Sequence, residues 1–358
     1  MFFSRLFTLS FTAVVLAGPF KRSNGISVQL TGPSSSVHSI SDLTLTAVVT
    51  NTGAEDIKVL KYATVLDAEL PTRSFTVTRN GTVVPFVGVK LSVSLEEADD
   101  SAYTTIPAGE SVTLVHDVSA LYDFASVGTG PFTFAPVSTF QTAPTTQKIA
   151  ARSDLVTVEI LSSPITIAVT GDVGRREPAL NRRSRDICTT ASRKTFIDAS
   201  YTEAKTLAST ASSYVTSRGA TDTLYRAYFG AIATSRVTSV LNAVANENSS
   251  TRTLSCTDTF GVCTAGVIAY TVISTTNIYF CSIFFNEVPS TSLCSGTSVA
   301  SRNVRGGTTL HELTHATSGT DDVIYGCASD QALSDANSVI NADNYNCFTT
   351  QVYANTRC

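Results

Sequence analysis

The first half of the chain carries a pattern of short apolar runs that is typical of β-structure. Leu43 to Val49 alternates between apolar and polar side chains, and Asn80-Gly81 is a strong signal for a two-residue hairpin turn. Turn-forming residues separate the runs at short intervals up to about residue 175. We therefore predict an all-β, sandwich-like domain. Its strands are expected at residues 26–30, 43–49, 74–78, 83–86, 111–115, 132–134 and 155–160.

After residue 187 the apolar positions change to helical spacing. Ile197 to Val215 forms one apolar stripe, which Gly219 ends. Tyr225 to Val244 forms a second stripe, and Asp222 or Thr221 is placed to cap its helix. We expect strands at 251–256, 266–273 and 277–285, a helix opened by two glycines at 306–307, and a last helix at 329–345. This pattern predicts an α+β domain, mostly helical with a small sheet.

Composition narrows the class of protein. The 358 residues are 43% hydrophobic and 15% charged, which is enough to bury two domain cores. A formal net charge of -4 argues against nucleic acid as a partner. Residues 1–18 resemble a signal peptide, because Arg5 precedes an apolar run that ends at Ala17-Gly18 and is too short for a membrane anchor. We expect a secreted, extracellular monomer with no membrane partner and with glycosylation sequons at Asn80 and Asn248.

The cysteines divide the chain in the same way. All eight lie between Cys188 and Cys358, and residues 1–187 contain none. An even number behind a signal peptide predicts four disulfides formed in an oxidising compartment. No C-x-x-C pair is present, so a zinc ribbon is not indicated.

A basic cluster lies at the cysteine boundary and includes Arg175-Arg176, Arg183 and Arg185. Proteolysis concentrates in exposed polar linkers, so we predict processing near Arg183 or Arg185. The alternative is a solvated linker beside an adhesion module that stays attached. Lys21-Arg22 is a further dibasic candidate. The predicted domains are a signal peptide at 1–18, a β-rich propeptide at 19–185 and a catalytic domain at 186–358.

The segment His311-Glu312-Leu313-Thr314-His315 carries the strongest chemical signal. On a helix the two histidines lie one turn apart on the same face, with Glu312 beside them. Two neutral imidazoles can hold a zinc ion, and the carboxylate can accept a proton from an attacking water. We expect one zinc per catalytic domain. The plainer alternatives are incidental histidines on an amphipathic helix and a capping role for Glu312 toward Thr309.

Elimination restricts the third zinc ligand. No other histidine follows the basic cluster, no glutamate follows Glu312, and the only methionine is Met1. A third histidine, a downstream glutamate ligand and a Met-turn are therefore excluded. The downstream aspartates remain, namely Asp321, Asp322, Asp330, Asp335 and Asp343.

The residues after the second histidine, Gly319-Thr320-Asp321-Asp322-Val323-Ile324-Tyr325-Gly326, resemble the GTxDxxYG signature of the aspzincins. These are the deuterolysin family of secreted fungal zinc metalloendopeptidases. The resemblance implies that Asp322 is the third ligand, Glu312 the general base and Tyr325 the oxyanion donor. It also implies that Asp343 lies near the S1′ pocket and favours basic residues. The alternatives are Asp321 as ligand, Tyr325 as a packing residue and Asp343 as a solvated helix residue.

The resemblance implies a zincin-like catalytic domain with disulfides behind a cysteine-free propeptide. Within that framework we pair the cysteines by order, as Cys188–Cys256, Cys263–Cys281, Cys294–Cys358 and Cys327–Cys347. The predicted protein is a secreted zinc endopeptidase made as a preproenzyme. It would act on protein or peptide substrates with a preference for basic residues near the cleavage site.

The predicted partner before processing is the protein's own propeptide. It has no cysteine, so covering the zinc would require His38, His116, a carboxylate or steric cover. The alternative function is a catalytically silent, secreted zinc-containing binding protein. Four protein ligands around the metal would mark that alternative.

Overall fold

A computed structural model describes residues 25–146, 149, 154–176 and 188–358. The predicted signal peptide, Lys21-Arg22 and the processing candidates Arg183 and Arg185 therefore lie outside the described residues.

The N-terminal region is built almost entirely from strands, with one short helix, α1 (Phe124–Val127). The strands are β1 (Ile26–Thr31), β2 (Ser36–Ser39), β3 (Thr44–Asn51), β4 (Ile57–Leu60), β5 (Phe75–Arg79), β6 (Thr82–Val83), β7 (Val89–Val93), β8 (Tyr103–Ile106), β9 (Ser111–Asp117), β10 (Gly130–Pro136), β11 (Thr139–Pro144), β12 (Val156–Glu159), β13 (Leu161–Ser162) and β14 (Ile165–Asp172).

All of these strands except β7 form three sheets. Their orders are β13-β1-β3-β9, β2-β14-β10-β5-β6 and β12-β11-β4-β8. Alternation explains the packing, because Leu45, Ala47 and Val49 of β3 point into one core while the residues between them are more exposed. The Asn80-Gly81 turn joins β5 to β6 with positive φ at both residues, as a type I′ hairpin requires.

The C-terminal region combines helices with a small sheet. The helices are α2 (Ala191–Arg218), α3 (Thr223–Phe229), α4 (Thr234–Ala245), α5 (Arg305–Ser318), α6 (Cys327–Asp330), α7 (Asp335–Ser338) and α8 (Ala342–Arg357). The strands are β15 (Leu254–Ser255), β16 (Val267–Val272) and β17 (Asn277–Phe280). Helix α5 packs against both α2 and α8, and the three share one apolar core.

Two helix predictions were wrong in their bounds. The helix expected through Tyr225 and Val244 is broken at Gly230, whose φ of 56° favours glycine and where a Cβ would lie 1.9 Å from Asp335 Oδ1. The last helix does not run from 329 to 345. It is replaced by the short helices α6 and α7, and α8 begins only after Asn341, which has an extended backbone.

The strand predictions in this region were too long. The run expected at 277–285 ends as a strand at Phe280, and residues 282–286 form a 3-10 helix. The run expected at 251–256 is a strand only at residues 254–255.

The two regions meet through a shared sheet and a shared core. Strand β7 leaves the N-terminal sheets and completes a sheet of order β15-β17-β16-β7. Leu91 and Val93 of β7 are buried in an apolar cluster with Tyr270, Tyr279 and Tyr325 of the C-terminal region. Among the described helices, none has the length and apolar character needed to cross a membrane.

Four disulfides join the C-terminal elements, and no cysteine is free. They link the same pairs that order along the chain suggests, namely Cys188–Cys256, Cys263–Cys281, Cys294–Cys358 and Cys327–Cys347.

Candidate active site

Helix α5 carries the histidines into the centre of the C-terminal region. A Cβ at Gly306 would lie 2.7 Å from Glu203 Cβ on α2, and one at Gly307 would lie 2.3 Å from Asn346 Oδ1 on α8. The two glycines therefore allow close packing of three helices. Because α5 begins at Arg305, Glu312 lies in the helix interior, and the capping role toward Thr309 was wrong.

The structure brings His311, His315 and Asp322 together. The two Nε2 atoms lie 3.1 Å apart, and Asp322 Oδ1 lies 3.0 Å from His311 Nε2 and 3.1 Å from His315 Nε2. Gly319 ends α5 in the left-handed conformation, with φ 68° and ψ 23°, so the chain turns back and returns Asp322 to the histidines. Cys327, Asp330 and Cys347 form another cluster within the described residues, but a disulfide joins its cysteines.

The ring orientations suit a metal ion. His315 Nδ1 lies 2.7 Å from the Thr320 carbonyl and donates to it, so the Nε2 lone pair faces the cluster. His311 Nδ1 lies 3.6 Å from Asp343 Oδ1, on the side away from the cluster. Two imidazole nitrogens and one carboxylate oxygen, with carbonyl and carboxylate groups behind the rings, fit a catalytic zinc site with three protein ligands.

Asp321 lies on the other side of the same turn. Its carboxylate pairs with Arg73 and with Lys90 Nζ, the latter at 2.8 Å. Neighbouring residues of an extended chain point in opposite directions, so only one of the two aspartates faces the histidines. The geometry thus brings Asp322, and not Asp321, to the cluster.

Glu312 and Tyr325 flank the cluster. Thr271 Oγ1 donates to Glu312 Oε2 at 2.6 Å. Burial raises the pKa of Glu312 to about 8, against the opposing effect of His311. The Tyr325 phenol is buried, which raises its pKa well above the ordinary value, and it donates to the Leu91 carbonyl at 2.9 Å. A carboxyl that exchanges protons near neutral pH and a phenol that stays protonated are both useful for acyl chemistry.

Electrostatics favour a positive charge at the cluster. Burial would lower the pKa of His311, but Asp322 and Asp343 outweigh it and raise that pKa to about 10. Burial would raise the pKa of Asp322, but the two imidazoles outweigh it and hold that pKa well below the ordinary value. The carboxylates therefore stabilise a cation beside the imidazoles, as a metal site requires.

Strand β7 passes directly over the cluster. The Leu91 amide donates to Asp322 Oδ2 at 2.8 Å. The Leu91 carbonyl oxygen lies 3.2 Å from His311 Nε2, a distance close to those between the three ligand atoms themselves. This oxygen therefore lies beside the ligand atom of His311. The N-terminal region places a backbone strand here. Its histidines lie elsewhere, since His116 is 3.0 Å from the Val65 carbonyl and a Cβ at Gly171 would lie 2.2 Å from His38 Cε1.

Asp343 lies behind the histidine ring, with its Oδ1 3.6 Å from His311 Nδ1. It is fully buried, and Arg302 donates to its Oδ1 from Nε at 3.0 Å and from Nη2. The Gly326 amide donates to its other oxygen. Its carboxylate is therefore neutralised by Arg302 and helps to orient His311. It is not a solvated helix residue.

Sequence reasoning missed three contributors. Thr271 holds the general-base candidate, Arg302 neutralises Asp343, and β7 covers the cluster. The signal for β7 was present, because Val89, Leu91 and Val93 alternate with polar residues. Nothing local in the sequence marks Thr271 or Arg302. Asn80 and Asn248, the sequon residues, are both exposed.

A family model described as the deuterolysin metalloprotease (M35) family matches residues 2–357. The chain belongs to this deuterolysin family. It is accordingly a metalloendopeptidase, with a metal cofactor and peptide substrates. Membership rests on the whole chain and not on the histidine motif alone.

Several relatives of this deuterolysin are similar over most of their length. A neutral protease 2 homolog of Sclerotinia sclerotiorum is 30% identical, covering 86% of this chain and 86% of its own. A peptidyl-Lys metalloendopeptidase of Armillaria mellea is 29% identical, covering 96% of this chain and 95% of its own. A solved zinc peptidase from Grifola frondosa is 24% identical with a TM-score of 0.37, covering 45% of this chain and 96% of its own.

Proposed function

We propose that this deuterolysin is a secreted zinc endopeptidase made as a preproenzyme. The observation that carries the proposal is convergence on one backbone segment. His311, Asp322 and Tyr325 all approach Leu91 of β7, and the histidine and the aspartate belong to the metal-ligand set. That set has three protein side chains among the described residues, which suits a catalytic site better than a closed structural one.

The chain's own side chains can divide the chemistry of peptide hydrolysis. His311, His315 and Asp322 would hold the zinc ion, which would supply a Lewis acid when bound. Glu312 accepts a proton from the attacking water and returns it to the departing amine nitrogen. Tyr325 donates to the carbonyl oxygen as negative charge develops there.

The N-terminal region acts in this proposal as a propeptide at 19–185 that binds the catalytic domain at 186–358. Its strand β7 fills the cleft and pairs with β16, so substrates cannot enter while it is docked. Processing near Arg183 or Arg185 cuts the connection between the two, and a signal peptide at 1–18 directs secretion.

Secretion is supported by the chemistry of the chain. Four disulfides persist in an oxidising compartment, and Asn80 and Asn248 are exposed for glycosylation. The protein would act as a monomer, since the metal ligands and both catalytic candidates come from one chain. The preference for basic residues near the cleavage site is supported by Lys90, whose ammonium group meets Asp321 beside the cluster.

Replacing Glu312 by glutamine tests this function. The Glu312→Gln protein should fold and bind one zinc ion per chain, while peptidase activity falls by about a thousandfold, because the amide cannot accept the proton. Zinc content by mass spectrometry and cleavage of an unstructured protein are the two readouts. The control is Glu203→Gln, a glutamate of α2 that pairs with Arg305 outside the cluster. Full activity of purified Glu312→Gln protein would contradict the mechanism.

A further inference from the structure

Strand β7 lies in the cleft in the manner of a bound peptide substrate. It runs antiparallel to β16, with Leu91 opposite Tyr270 and Ser92 opposite Ala269. Addition of an extended strand to a sheet edge is a common mode of peptide recognition. The backbone of β7 therefore defines a direction and a register for the cleft.

The register places one peptide bond at the reactive groups. The Leu91 carbonyl oxygen accepts from the Tyr325 phenol at 2.9 Å and lies 3.2 Å from His311 Nε2. The Leu91 carbonyl is thus at the oxyanion donor. Leu91 occupies the place of the carbonyl residue of a substrate, and Ser92 that of the amine residue.

The residue before the carbonyl residue has a charged pocket of its own. Lys90 Nζ lies 2.8 Å from Asp321 Oδ1 and donates to the carbonyl oxygens of Gly319, at 3.3 Å, and of Thr320. An ammonium group has three donors, and three oxygens surround it here. The Lys90 side chain is only 7% exposed, so the pair is largely shielded from solvent.

This pocket belongs to the catalytic region and is held there by its backbone. The Asp321 amide donates to the Ile340 carbonyl at 2.6 Å, and the Ala342 amide donates to the Asp321 carbonyl at 2.9 Å. These bonds do not involve the N-terminal region, so the pocket does not depend on β7. Arg73 is the other partner of Asp321, and it leaves with the N-terminal region. A cavity of about 230 Å³ adjoins the carboxylate in the unprocessed chain, and most of the residues that line it belong to the N-terminal region.

The side of the cleft that follows the scissile bond offers no free carboxylate at Asp343. Arg302 holds Asp343 and also donates to the Val93 carbonyl at 3.0 Å. A cation at the amine residue would therefore meet an aspartate that already has its counterion.

We propose that Asp321 selects substrates with a lysine or arginine immediately before the carbonyl residue. The proposal rests on the proposed peptidase function and names the substrate class of that site. Asp321, with the Gly319 and Thr320 carbonyls, binds the cation that Lys90 supplies in the unprocessed chain. Basic selectivity thus comes from Asp321 and not from Asp343.

Matched peptides test this selection. The full chain is expressed, and the active enzyme that it yields is given two peptides built on Val-Lys-Leu-Ser-Val, one with lysine and one with norleucine before the leucine. Norleucine keeps the four-carbon chain of lysine and lacks its ammonium group. We expect cleavage between leucine and serine, with kcat/KM at least about tenfold higher for the lysine peptide, since a shielded charge-assisted hydrogen bond is lost with norleucine. A third peptide, in which lysine replaces the serine, should not be cleaved with a higher kcat/KM than the peptide that keeps the serine.

Binding gives a second readout that does not need turnover. Enzyme carrying Glu312→Gln should bind a fluorescent lysine peptide at least about tenfold more tightly than the norleucine peptide. Adding Asp321→Asn should reduce this ratio to about one while zinc content stays the same. The matched control is Asp198→Asn, an exposed aspartate of α2, which should keep the full ratio.

The outcomes separate the two proposals. Failure to cleave either peptide contradicts the peptidase function, while the binding ratio still tests Asp321. Equal cleavage and equal binding of the two peptides overturn the Asp321 pocket and leave the peptidase function standing. An advantage only for the peptide with lysine in place of the serine would assign selection to Asp343 and would also overturn the proposal.

Discussion

The two regions of this deuterolysin are stabilised in different ways. The N-terminal region buries a large apolar core between sheets and contains no cysteine. The C-terminal region buries a core of similar size among helices and adds four disulfides. Two of these disulfides close long segments, with sequence separations of 68 and 64 residues. Cross-links of that span remove the most entropy from the unfolded chain.

This difference indicates which region is stabilised to remain folded on its own. The covalent links all lie in the region that carries the metal ligands, while the region that covers the site is held by packing. A third apolar cluster joins the two, and Leu91, Val93 and Tyr325 all belong to it. The N-terminal region is therefore attached by packing, a strand pairing and ion pairs, which can be reversed, whereas disulfides cross-link the catalytic region.

The largest expected effect comes from reduction of the disulfides. Loss of four cross-links, each contributing about 2–5 kcal/mol, should unfold the C-terminal region. The N-terminal sheets should keep their amide protection, since no cysteine stabilises them. Hydrogen exchange with and without a reductant measures both regions in one sample, and strands β1 and β3, outside the shared cluster, are the internal control. If amide protection is lost from both regions together, the two regions do not differ in their dependence on disulfides.

Shortening the Leu91 side chain should weaken the docking of β7 without altering the backbone of this strand. Leu91 is fully buried in the shared cluster, so Leu91→Ala should cost about 4 kcal/mol, mostly at the interface. In a chain with Arg183 and Arg185 replaced by glutamine, we expect peptidase activity on a small peptide to rise at least tenfold. Leu45→Ala is the matched control, because Leu45 is equally buried but lies in the N-terminal core. An equal rise in both variants would show that general destabilisation, and not docking of β7, controls access.

A smaller effect is expected from pH, in the N-terminal region. Burial raises the pKa of Asp67 to about 6, although the Leu70 and Glu69 amides oppose the shift, and the residue is 2% exposed. A raised folded-state pKa adds stability below the ordinary value, near 4, and this stability is lost as pH rises through about 6. The loss is at most about 3 kcal/mol, from two units of pKa.

This pH dependence of stability is checked by thermal unfolding of the N-terminal region, monitored by hydrogen exchange between pH 4 and pH 7. Asp67→Asn should flatten it, because the amide keeps its acceptor oxygen and does not ionise. The exposed Asp100 provides the control substitution, and Asp100→Asn should leave the slope unchanged. If the stability of the Asp67→Asn protein still falls as pH rises, another titratable group causes the pH dependence.

The parts that sequence predicted are those coded by neighbouring residues. The spacing of His311 and His315 on a helix is local, so it could be read without coordinates, whereas the choice of Asp322 among the downstream aspartates came from the family resemblance. The Asn80-Gly81 hairpin is local in the same sense. Helix bounds failed where a single backbone conformation decided them, as at Gly230, because a continuous apolar stripe does not reveal a break.

The parts that sequence did not predict depend on residues far apart in the chain. Strand β7 pairs with a strand about 180 residues later, and its alternation alone does not name a partner. Arg302 meets Asp343 across a separation of 41 residues, so the counterion of that aspartate could not be read from its neighbours in sequence. Such pairings are set by packing of whole elements, so a motif can identify a side chain without identifying its counterion.

The pairing of β7 with β16 has a consequence for solubility. All six residues of β16, Val267–Val272, are buried, and β7 covers the edge that would otherwise present free backbone groups. An apolar, uncharged edge of this length is a template for pairing between chains. If the cover leaves, as we propose, the working enzyme acquires an aggregation-prone edge at its own cleft. In that proposal, β7 would both exclude substrate from the cleft and keep newly made molecules from associating through the β16 edge.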